Sequence, residues 1–261
     1  MDRSNIGKIA QNNEDKIILA KIWDKINAGI NRCIITNSAF LSPRELHMAH
    51  FLFGHQEGLL EFGGYPDAER KMLIYLPEYL DESYVYSENS PVVCLRATFY
   101  EGDSPSHRDF LGALLGSGIA RESIGDICVG KSSCDFFVTV EIAPYLLQNF
   151  SSAGRTKLRL SAVPLTEIIV PEPEIREIRD TLSSVRLDSV VASGFSIARS
   201  LAAQYISGGK ASIDGLLCEK PDKNICEGSK ISVRGLGKIK LHKINGLTKK
   251  GRISVIIHRY M

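Results

Sequence analysis

Seven polar residues between positions 186 and 234 are candidates for binding phosphate through their side chains. They are Arg186, Ser196, Arg199, Ser200, Gln204, Lys210 and Arg234. Guanidinium and ammonium groups form charge-assisted hydrogen bonds with phosphate oxygens, and hydroxyl and amide groups add neutral ones. This stretch therefore predicts binding of a polyanion, for which nucleic acid is the natural candidate.

Two short helices are predicted to position these groups. The apolar residues of the first helix are Leu187, Val190, Val191 and Gly194. Their i, i+3, i+4, i+7 spacing is that of one helical face. Asp188 in the first turn would offset the positive end of the helix dipole. Gly194 is predicted to end the helix, because glycine accepts the left-handed backbone of a C-terminal stop.

The second helix is predicted to begin behind Ser196, whose hydroxyl can cap it. Its buried stripe is predicted to consist of Ile197, Leu201, Ala202, Tyr205 and Ile206. The residues left on its outer side are Arg199, Ser200 and Gln204. Gly208-Gly209 is expected to end it. The two helices would then form a tight turn with a guanidinium near each start, Arg186 and Arg199.

Short strands with a basic face are predicted after the helices. Asp214-Gly215 is a strong hairpin signal. Cations and apolar residues alternate after Gly237, and Asn245-Gly246 is predicted to turn the chain. The cations expected to lie beside the helix pair are Arg234, Lys238, Lys240, Lys249, Lys250 and Arg252. If about six of them meet phosphates, affinity should fall steeply with salt.

This layout resembles the S4-type RNA-binding domain, in which two compact helices are followed by a small sheet. The residues that match are Arg-Leu-Asp at 186–188, Gly194, Arg199-Ser200, Gly209-Lys210 and Val-Arg-Gly at 233–235. The family usually has Ser where this chain has Ala198. The resemblance implies that Arg186, Arg199 and Lys210 contact RNA.

Basic charge is concentrated in the last third of the chain. Residues 181–261 contain 14 Lys and Arg against 5 Asp and Glu, a net charge of +9. Residues 1–180 contain 18 against 25, a net charge of −7. This asymmetry is typical of a polyanion-binding module attached to an acidic body. A merely solvated basic face is the alternative.

The chain as a whole predicts a multidomain α+β fold, at a length that allows two or three domains. Residues 1–88 are predicted to form a mostly helical α/β domain, in which Ser42 caps one helix and Asp67 caps a short helix over residues 68–73. Residues 89–172 follow the order β-α-β-β-α-β, the ferredoxin-like arrangement that RRM domains share, and Ser106 is predicted to cap the first of its helices. A proline-containing linker over 163–173 and a charged helix over 174–182 lead into the S4-type domain, residues 181–261.

Motifs for other chemistry fail on their context. Residues 125–132 fit the P-loop pattern, but their middle is apolar and strand-like and another strand follows, which predicts a hairpin tip. Phe99 and Phe137 lie on the strands where RRM domains stack bases. The RNP1 motif is absent, so we expect these two side chains to pack in the core instead. His47 and His50 have no carboxylate or thiol positioned to complete a metal site. We predict neither a metal nor a cofactor.

Features of the sequence predict a cytoplasmic compartment. The six cysteines include no C-x-x-C pair, and the N-terminus opens with polar residues rather than a signal peptide. The longest run without a charged residue, 142–154, is shorter than the ~18 apolar residues of a membrane span. We therefore expect a cytoplasmic protein with reduced thiols.

Blocks along nearly the full chain resemble the signature blocks of the YlmH family, bacterial S4-domain proteins with an RRM-like central domain. The blocks are residues 40–45, 63–71, 107–113, 121–126 and 249–252. The resemblance implies a non-enzymatic RNA-binding protein that binds rRNA of the large (50S) ribosomal subunit. We expect a monomer, and tRNA is a candidate second partner whose contact the sequence does not decide. The resemblance also implies a role in rescue of stalled translation and a link, direct or indirect, to cell division.

Two other classes of function stay open. S4-type modules are often fused to RNA-modifying enzymes such as pseudouridine synthases and methyltransferases. Asp109 and Asp126 would be the acidic candidates, but no polar constellation surrounds them in the sequence, and no Gly-rich cofactor loop follows a strand. The third possibility is a scaffold for cell-division proteins, which predicts that RNA is dispensable.

Overall fold

A computed structural model describes residues 3–171, 174–248 and 251–260. The chain divides into two compact units, Met1–Pro171 and Glu172–Met261. Both units mix helices and strands, which confirms the predicted α+β class. None of the helices in the described ranges is long and apolar enough to cross a membrane.

Short and medium-length helices and strands build both units. The helices are α1 Ile6–Ile9, α2 Asn13–Arg32, α3 Pro43–Phe53, α4 His107–Gly116, α5 Ala143–Asn149, α6 Leu187–Phe195 and α7 Arg199–Ser207. The strands of the first unit are β1 Thr36–Asn37, β2 Leu59–Phe62, β3 Met72–Tyr75, β4 Val92–Thr98, β5 Ile124–Val129, β6 Ser133–Thr139, β7 Ser152–Ala153, β8 Thr156–Lys157 and β9 Arg159–Val163. Those of the second are β10 Ile175–Leu182, β11 Ala211–Ile213, β12 Leu216–Leu217, β13 Lys230–Val233, β14 Gly237–Leu247 and β15 Ile253–Tyr260.

The N-terminal segment packs α2 and α3 against a three-stranded sheet of order β1-β3-β2. Ser42 begins α3 as predicted: its side chain accepts a hydrogen bond from the Glu45 amide, and the Glu45 carboxylate accepts one from the Ser42 amide. The helix predicted after Asp67 is wrong, because Met72–Tyr75 form the fully buried strand β3. Pairing with a strand on each side outweighs the local cap signal.

The central sheet of the first unit has the strand order β5-β6-β4-β9, and its neighbouring strands are antiparallel. Its main elements follow in the predicted chain order, β4, α4, β5, β6, α5 and β9, with the short hairpin β7-β8 before β9. Helices α4 and α5 cover one face of the sheet, where Phe110, Leu114, Phe136 and Leu146 are fully buried.

The N-terminal segment covers the other face of this central sheet. Phe40, Phe62 and Met72 of that segment share one buried cluster with Cys94 and Phe137 of the sheet. The two N-terminal domains that the sequence predicts therefore pack together within the first unit. The division of the chain into three domains stays a prediction.

The second unit places α6 and α7 on one face of a six-stranded antiparallel sheet of order β10-β15-β14-β13-β11-β12. Its buried core residues include Val190, Val191, Ala202, Ile206, Ile231, Val233, Ile239, Leu241, Val255 and Ile257. The predicted hairpin at Asp214-Gly215 joins β11 to β12. Both residues have positive φ, 49° and 84°, as the two-residue hairpin turn requires.

The charged helix predicted over residues 174–182 is wrong. This segment forms the edge strand β10, which pairs with β15 from Ile175 to Leu182. The spacing of Ile175, Ile178 and Leu182 also fits a helical face, so the local pattern is ambiguous. The pairing partner lies at the far end of the chain, where no local pattern reveals it.

The turn predicted at Asn245-Gly246 is also wrong. Strand β14 continues through these residues to Leu247, and its pairing with β15 has a register shift between Ile244 and Gly246. Because of this irregularity, a dipeptide that is typical of a hairpin turn can lie inside a long strand. The chain reverses between the end of β14 at Leu247 and the start of β15 at Ile253.

Gly194 lies inside α6 instead of ending it. A Cβ added there would lie 2.6 Å from Cδ1 of Ile239 and 3.3 Å from Cγ2 of Ile257. The missing side chain thus lets the helix approach the sheet closely, which is a packing role rather than the predicted terminating one.

Gly194→Ala is expected to lower the free energy of unfolding by about 1–3 kcal/mol, because the extra methyl overpacks the contact with Ile239. Chemical denaturation followed by circular dichroism would measure the change. The matched control is Gly112→Ala in α4, where an added Cβ meets no atom within 4 Å and the change should raise stability by up to ~1 kcal/mol. An unaltered midpoint for Gly194→Ala would contradict the close approach.

Candidate nucleic-acid interface

One carboxylate lies between the two guanidiniums at the helix starts. Asp188, in the first turn of α6, is 5% exposed. Its Oδ2 accepts a hydrogen bond of 2.9 Å from Nε of Arg199, and its Oδ1 accepts one of 3.1 Å from Nη2. Nε of Arg186 lies 3.6 Å from the same Oδ1. The predicted guanidinium near each helix start is confirmed, and Asp188 holds both groups together.

Backbone contacts from a neighbouring loop fix the start of α6. The amides of Leu187 and Asp188 donate to the carbonyls of Lys223 and Pro221 at 2.8 and 2.9 Å. Arg186 occupies the N-cap position without a side-chain cap bond. The side chain of Arg186 is 39% exposed, but its Nε is buried and has no hydrogen-bond partner among the described residues.

Ser196 ends the first helix rather than beginning the second, so the predicted cap is wrong. It is the C-cap of α6, with a left-handed φ of 55°, and its amide donates to the carbonyl of Ser193 at 3.2 Å. Ala198 holds the N-cap position of α7 and makes no side-chain cap bond. The hydroxyl of Ser196 is exposed in the turn between the helices.

The outer side of α7 is polar. The predicted outer residues Arg199, Ser200 and Gln204 are all exposed. Ala202 and Ile206 are fully buried as predicted, but Leu201, predicted in the buried stripe, is 41% exposed. Leu201 follows Ser200 directly and falls on the outer side of this short helix. The surface therefore combines one cation, two polar groups and one leucine.

Lys210 and Arg234 lie side by side at the ends of β11 and β13. The amide of Arg234 donates to the carbonyl of Lys210 at 2.8 Å. Both residues are exposed. Nζ of Lys210 lies 5.1 Å from the centroid of the Tyr205 ring, a cation–π contact with the helix α7. This contact joins Lys210 to the helix that carries Arg199.

Lys238 and Lys240 do not lie beside the helix pair, which corrects the prediction. They alternate along β14 with Ile239 and Leu241, which are buried in the core beneath the helices. Alternate residues of a strand point to opposite faces of the sheet. The sheet therefore separates the two lysines from Arg186 and Arg199.

Arg252 does approach the helix pair. Its Nε donates to the carbonyl and to Oγ1 of Thr181, each at 3.1 Å. Arg252 and Arg199 line one cavity of about 340 Å³, together with Ser189 and Ser193. Lys249 and Lys250, the other predicted members of this basic tip, lie outside the described residues.

Two contacts in the second unit were not predicted from the sequence. The guanidinium carbon of Arg259 lies 5.2 Å from the centroid of the Phe195 ring at the end of α6. The alternation of β15 is the signal for it, since Arg259 continues the inward series of Val255 and Ile257. The bridging role of Asp188 has no such signal, because it depends on how two helices pack.

The P-loop match and the RRM-like aromatic position of the first unit behave as predicted. Gly130-Lys131-Ser132 forms the tip between β5 and β6, where the amide of Gly130 donates to the carbonyl of Ser133 at 2.8 Å. Phe137 is fully buried in the core. In the described part of the chain, no three side chains of His, Cys, Asp or Glu are grouped so that they could hold a metal ion.

The fold and site define a mixed α+β protein of two compact units whose C-terminal unit presents clustered cations. A family model described as "Putative RNA-binding domain in YlmH" matches residues 103–167. Ribosome-associated protein quality control protein P2 of Bacillus subtilis (strain 168) is 31% identical over 239 residues, 91% of each chain. The chain therefore belongs to the YlmH family.

A solved structure has a similar fold. Cell division protein ylmH from Streptococcus pneumoniae is 18% identical and has a TM-score of 0.50. The match covers 61% of this chain and 97% of that one. At this level of identity the similarity concerns the fold alone.

Proposed function

We propose that this protein is a non-enzymatic RNA-binding protein that acts on the large (50S) ribosomal subunit in the cytoplasm. The observation that carries the proposal is the pair of guanidiniums, Arg186 and Arg199, held by the single carboxylate of Asp188 at the starts of two helices. Two cations on one anion leave a net positive charge at a fixed place. Such a group suits the phosphates of a folded RNA.

The donors of Arg199 support this assignment. A guanidinium has five N–H donors, and Asp188 accepts from two of its nitrogens. The remaining donors stay available on a side chain that is 47% exposed. Ser200 and Gln204 lie on the same outer side of α7 and add neutral hydrogen bonds. Asp188 thereby orients the guanidinium of Arg199 without using all of its hydrogen-bond donors.

Family membership supports the choice of partner. The relative from B. subtilis carries the name ribosome-associated protein quality control protein, and the family model is described as RNA-binding. We infer that this chain assists rescue of stalled translation, where rRNA of the 50S subunit and a bound tRNA would both offer phosphates. Lys210 and Arg234 would extend the contact beyond the helix pair.

Two other functions are weaker candidates. An RNA-modifying enzyme would need a catalytic group that is free to reach the RNA. The carboxylate of Asp109 instead closes the capping box of α4 with Ser106, and that of Asp126 accepts from Tyr65 and from the amide of Arg70. Both carboxylates thus have structural partners. A scaffold for cell-division proteins is suggested by the name of the S. pneumoniae protein.

Cosedimentation with separated ribosomal subunits tests the proposal. The full-length protein is expected to travel with 50S subunits at about 50 mM salt and to be largely released at about 200 mM, because phosphate contacts release counterions. Separated 30S subunits are the matched control and should retain much less protein. The amount of protein in each gradient fraction is the measurement.

Each alternative predicts a different outcome of this experiment. A folded protein that stays at the top of the gradient at both salt concentrations would overturn the ribosomal assignment. Equal binding to 30S and 50S would reduce it to non-specific attraction between a basic unit and RNA. Salt-independent binding would favour contact with a ribosomal protein.

A further inference from the structure

The central sheet of the first unit has no free face for stacking bases. RRM domains stack bases on aromatic residues of their two central strands. The corresponding strands here are β4 and β6, and one of their faces lies under α4 and α5. On the other face, Phe137 is fully buried with Phe40 and Phe62 of the N-terminal segment. An RNA contact by this unit must use another surface.

Tyr100, just beyond the end of β4, offers such a surface. It is 77% exposed, so most of its side chain is accessible to a ligand. The amide of Asp103 donates to the carbonyl of Tyr100 at 2.9 Å and closes a tight turn. An added Cβ at Gly102 would collide with the Tyr100 ring, so the ring lies across this glycine.

Three cations surround the same place in an otherwise acidic unit. Arg155 and Lys157 come from the β7-β8 hairpin, and Arg159 begins the edge strand β9. All three are exposed. Within the described residues none of them forms an ion pair. Their charge is therefore available to a ligand.

One cavity connects these groups. It has a volume of about 610 Å³, and its lining includes Tyr100, Asp103, Arg155, Lys157 and Arg159. Cavities of roughly 300–1,000 Å³ are typical of small-ligand sites. The carboxylate of Asp103 repels phosphate, so a nucleotide would direct its base toward Asp103 and Tyr100 and its phosphates toward the hairpin.

We propose that Tyr100, Arg155, Lys157 and Arg159, called the Tyr100 surface, form a second RNA contact that takes an unpaired nucleotide. The base stacks on the Tyr100 ring, and the flanking phosphates bind the three cations. The inference rests on the proposed function, since it names the kind of RNA element that the first unit would recognise. A base-paired helix does not fit, because its bases are already stacked.

Two variants of the full-length protein separate stacking from charge. The probe is a short oligouridylate, and a short RNA duplex is the comparison. Tyr100→Ala is expected to lower affinity for the oligouridylate about tenfold, within the range for loss of one stacked base, and to leave the salt dependence unchanged. Arg155→Gln/Lys157→Gln/Arg159→Gln should reduce the slope of log affinity against log salt by about 2, since each single-strand phosphate contact contributes ~0.7.

Lys8→Gln/Lys16→Gln/Lys25→Gln is the matched control, because it removes three exposed charges from α1 and α2 of the same unit. It should change the slope much less. Photocrosslinking with 4-thiouridine in the oligonucleotide is expected to label the peptide that contains Tyr100. Equal slopes for the two triple variants, or crosslinks only in the second unit, would overturn the proposal.

The outcomes distinguish this inference from the proposed function. If wild-type protein binds 50S subunits but the Tyr100 surface variants bind the oligouridylate normally, only this inference fails. If the surface variants lose oligouridylate binding while wild type ignores 50S subunits, only the ribosomal assignment fails. Unchanged circular dichroism spectra of all variants establish that the loss is one of contact, since every substituted side chain is exposed.

Discussion

Arg199→Ala is expected to lower the affinity for 50S subunits by tenfold or more. A hydrogen bond to a charged group contributes about 1.5–3 kcal/mol, and Arg199 has donors left after it binds Asp188. The affinity of Arg199→Lys should lie between those of Arg199→Ala and wild type. Lysine keeps the charge, but its ammonium cannot form the planar fork that joins a carboxylate to a second oxyanion. Binding would be measured by quantitative cosedimentation at low salt.

Arg179→Ala is the matched control for this experiment. Arg179 is in the same unit, its side chain is 78% exposed, and its only ion pair among the described residues is with Glu177. The substitution removes the same charge, and affinity should change less than about twofold if position matters more than net charge. Equal losses for Arg199→Ala and Arg179→Ala would contradict the assignment of the helix pair as the contact.

Arg96→Met is expected to lower the free energy of unfolding of the first unit by about 3–5 kcal/mol, the usual cost of removing one partner of a buried pair. Arg96 binds Asp135 bidentately, with both hydrogen bonds at 2.7 Å, and this bond raises the pKa of Arg96. Asp135 is 1% exposed, and among the described residues it would keep the amide of Ile169 as its one remaining donor. Guanidinium denaturation followed by fluorescence of Trp23, the single tryptophan, reports on this unit.

Arg3→Met provides the comparison for an exposed pair. The side chains of Arg3 and Asp24 are 60% and 58% exposed, so loss of this ion pair should cost less than about 1 kcal/mol. Similar midpoints for Arg96→Met and Arg3→Met would indicate that the Asp135 carboxylate finds water or a proton once Arg96 is gone.

Local signals in the sequence predicted local structure well. Ser42 and Ser106 each begin a helix with a complete capping box, and Asp214-Gly215 forms its hairpin. The placement of Arg186 and Arg199 near helix starts follows from apolar spacing in the same way. Each of these features depends on residues a few positions apart, so the chain segment itself contains the information.

Features that depend on distant parts of the chain cannot be predicted from local sequence patterns. Strand β10 pairs with β15 across most of the second unit, so its helix-like spacing was misleading. Lys238 and Lys240 alternate correctly along β14, yet which face the helices would cover could not be read from that alternation. The shared bonding of Arg186 and Arg199 to Asp188 likewise requires the packed helices.

The limits of the family model do not coincide with those of the central sheet. The family model begins at residue 103, after β4, yet β4 is the strand that lies between β6 and β9. A piece cut to the limits of the match would lack β4, so β6 and β9 would have no strand between them. The side chain of Phe137 would also be exposed to solvent. The family model thus covers less than the folded sheet, and we expect a piece that folds on its own to include both β4 and the N-terminal segment that covers Phe137.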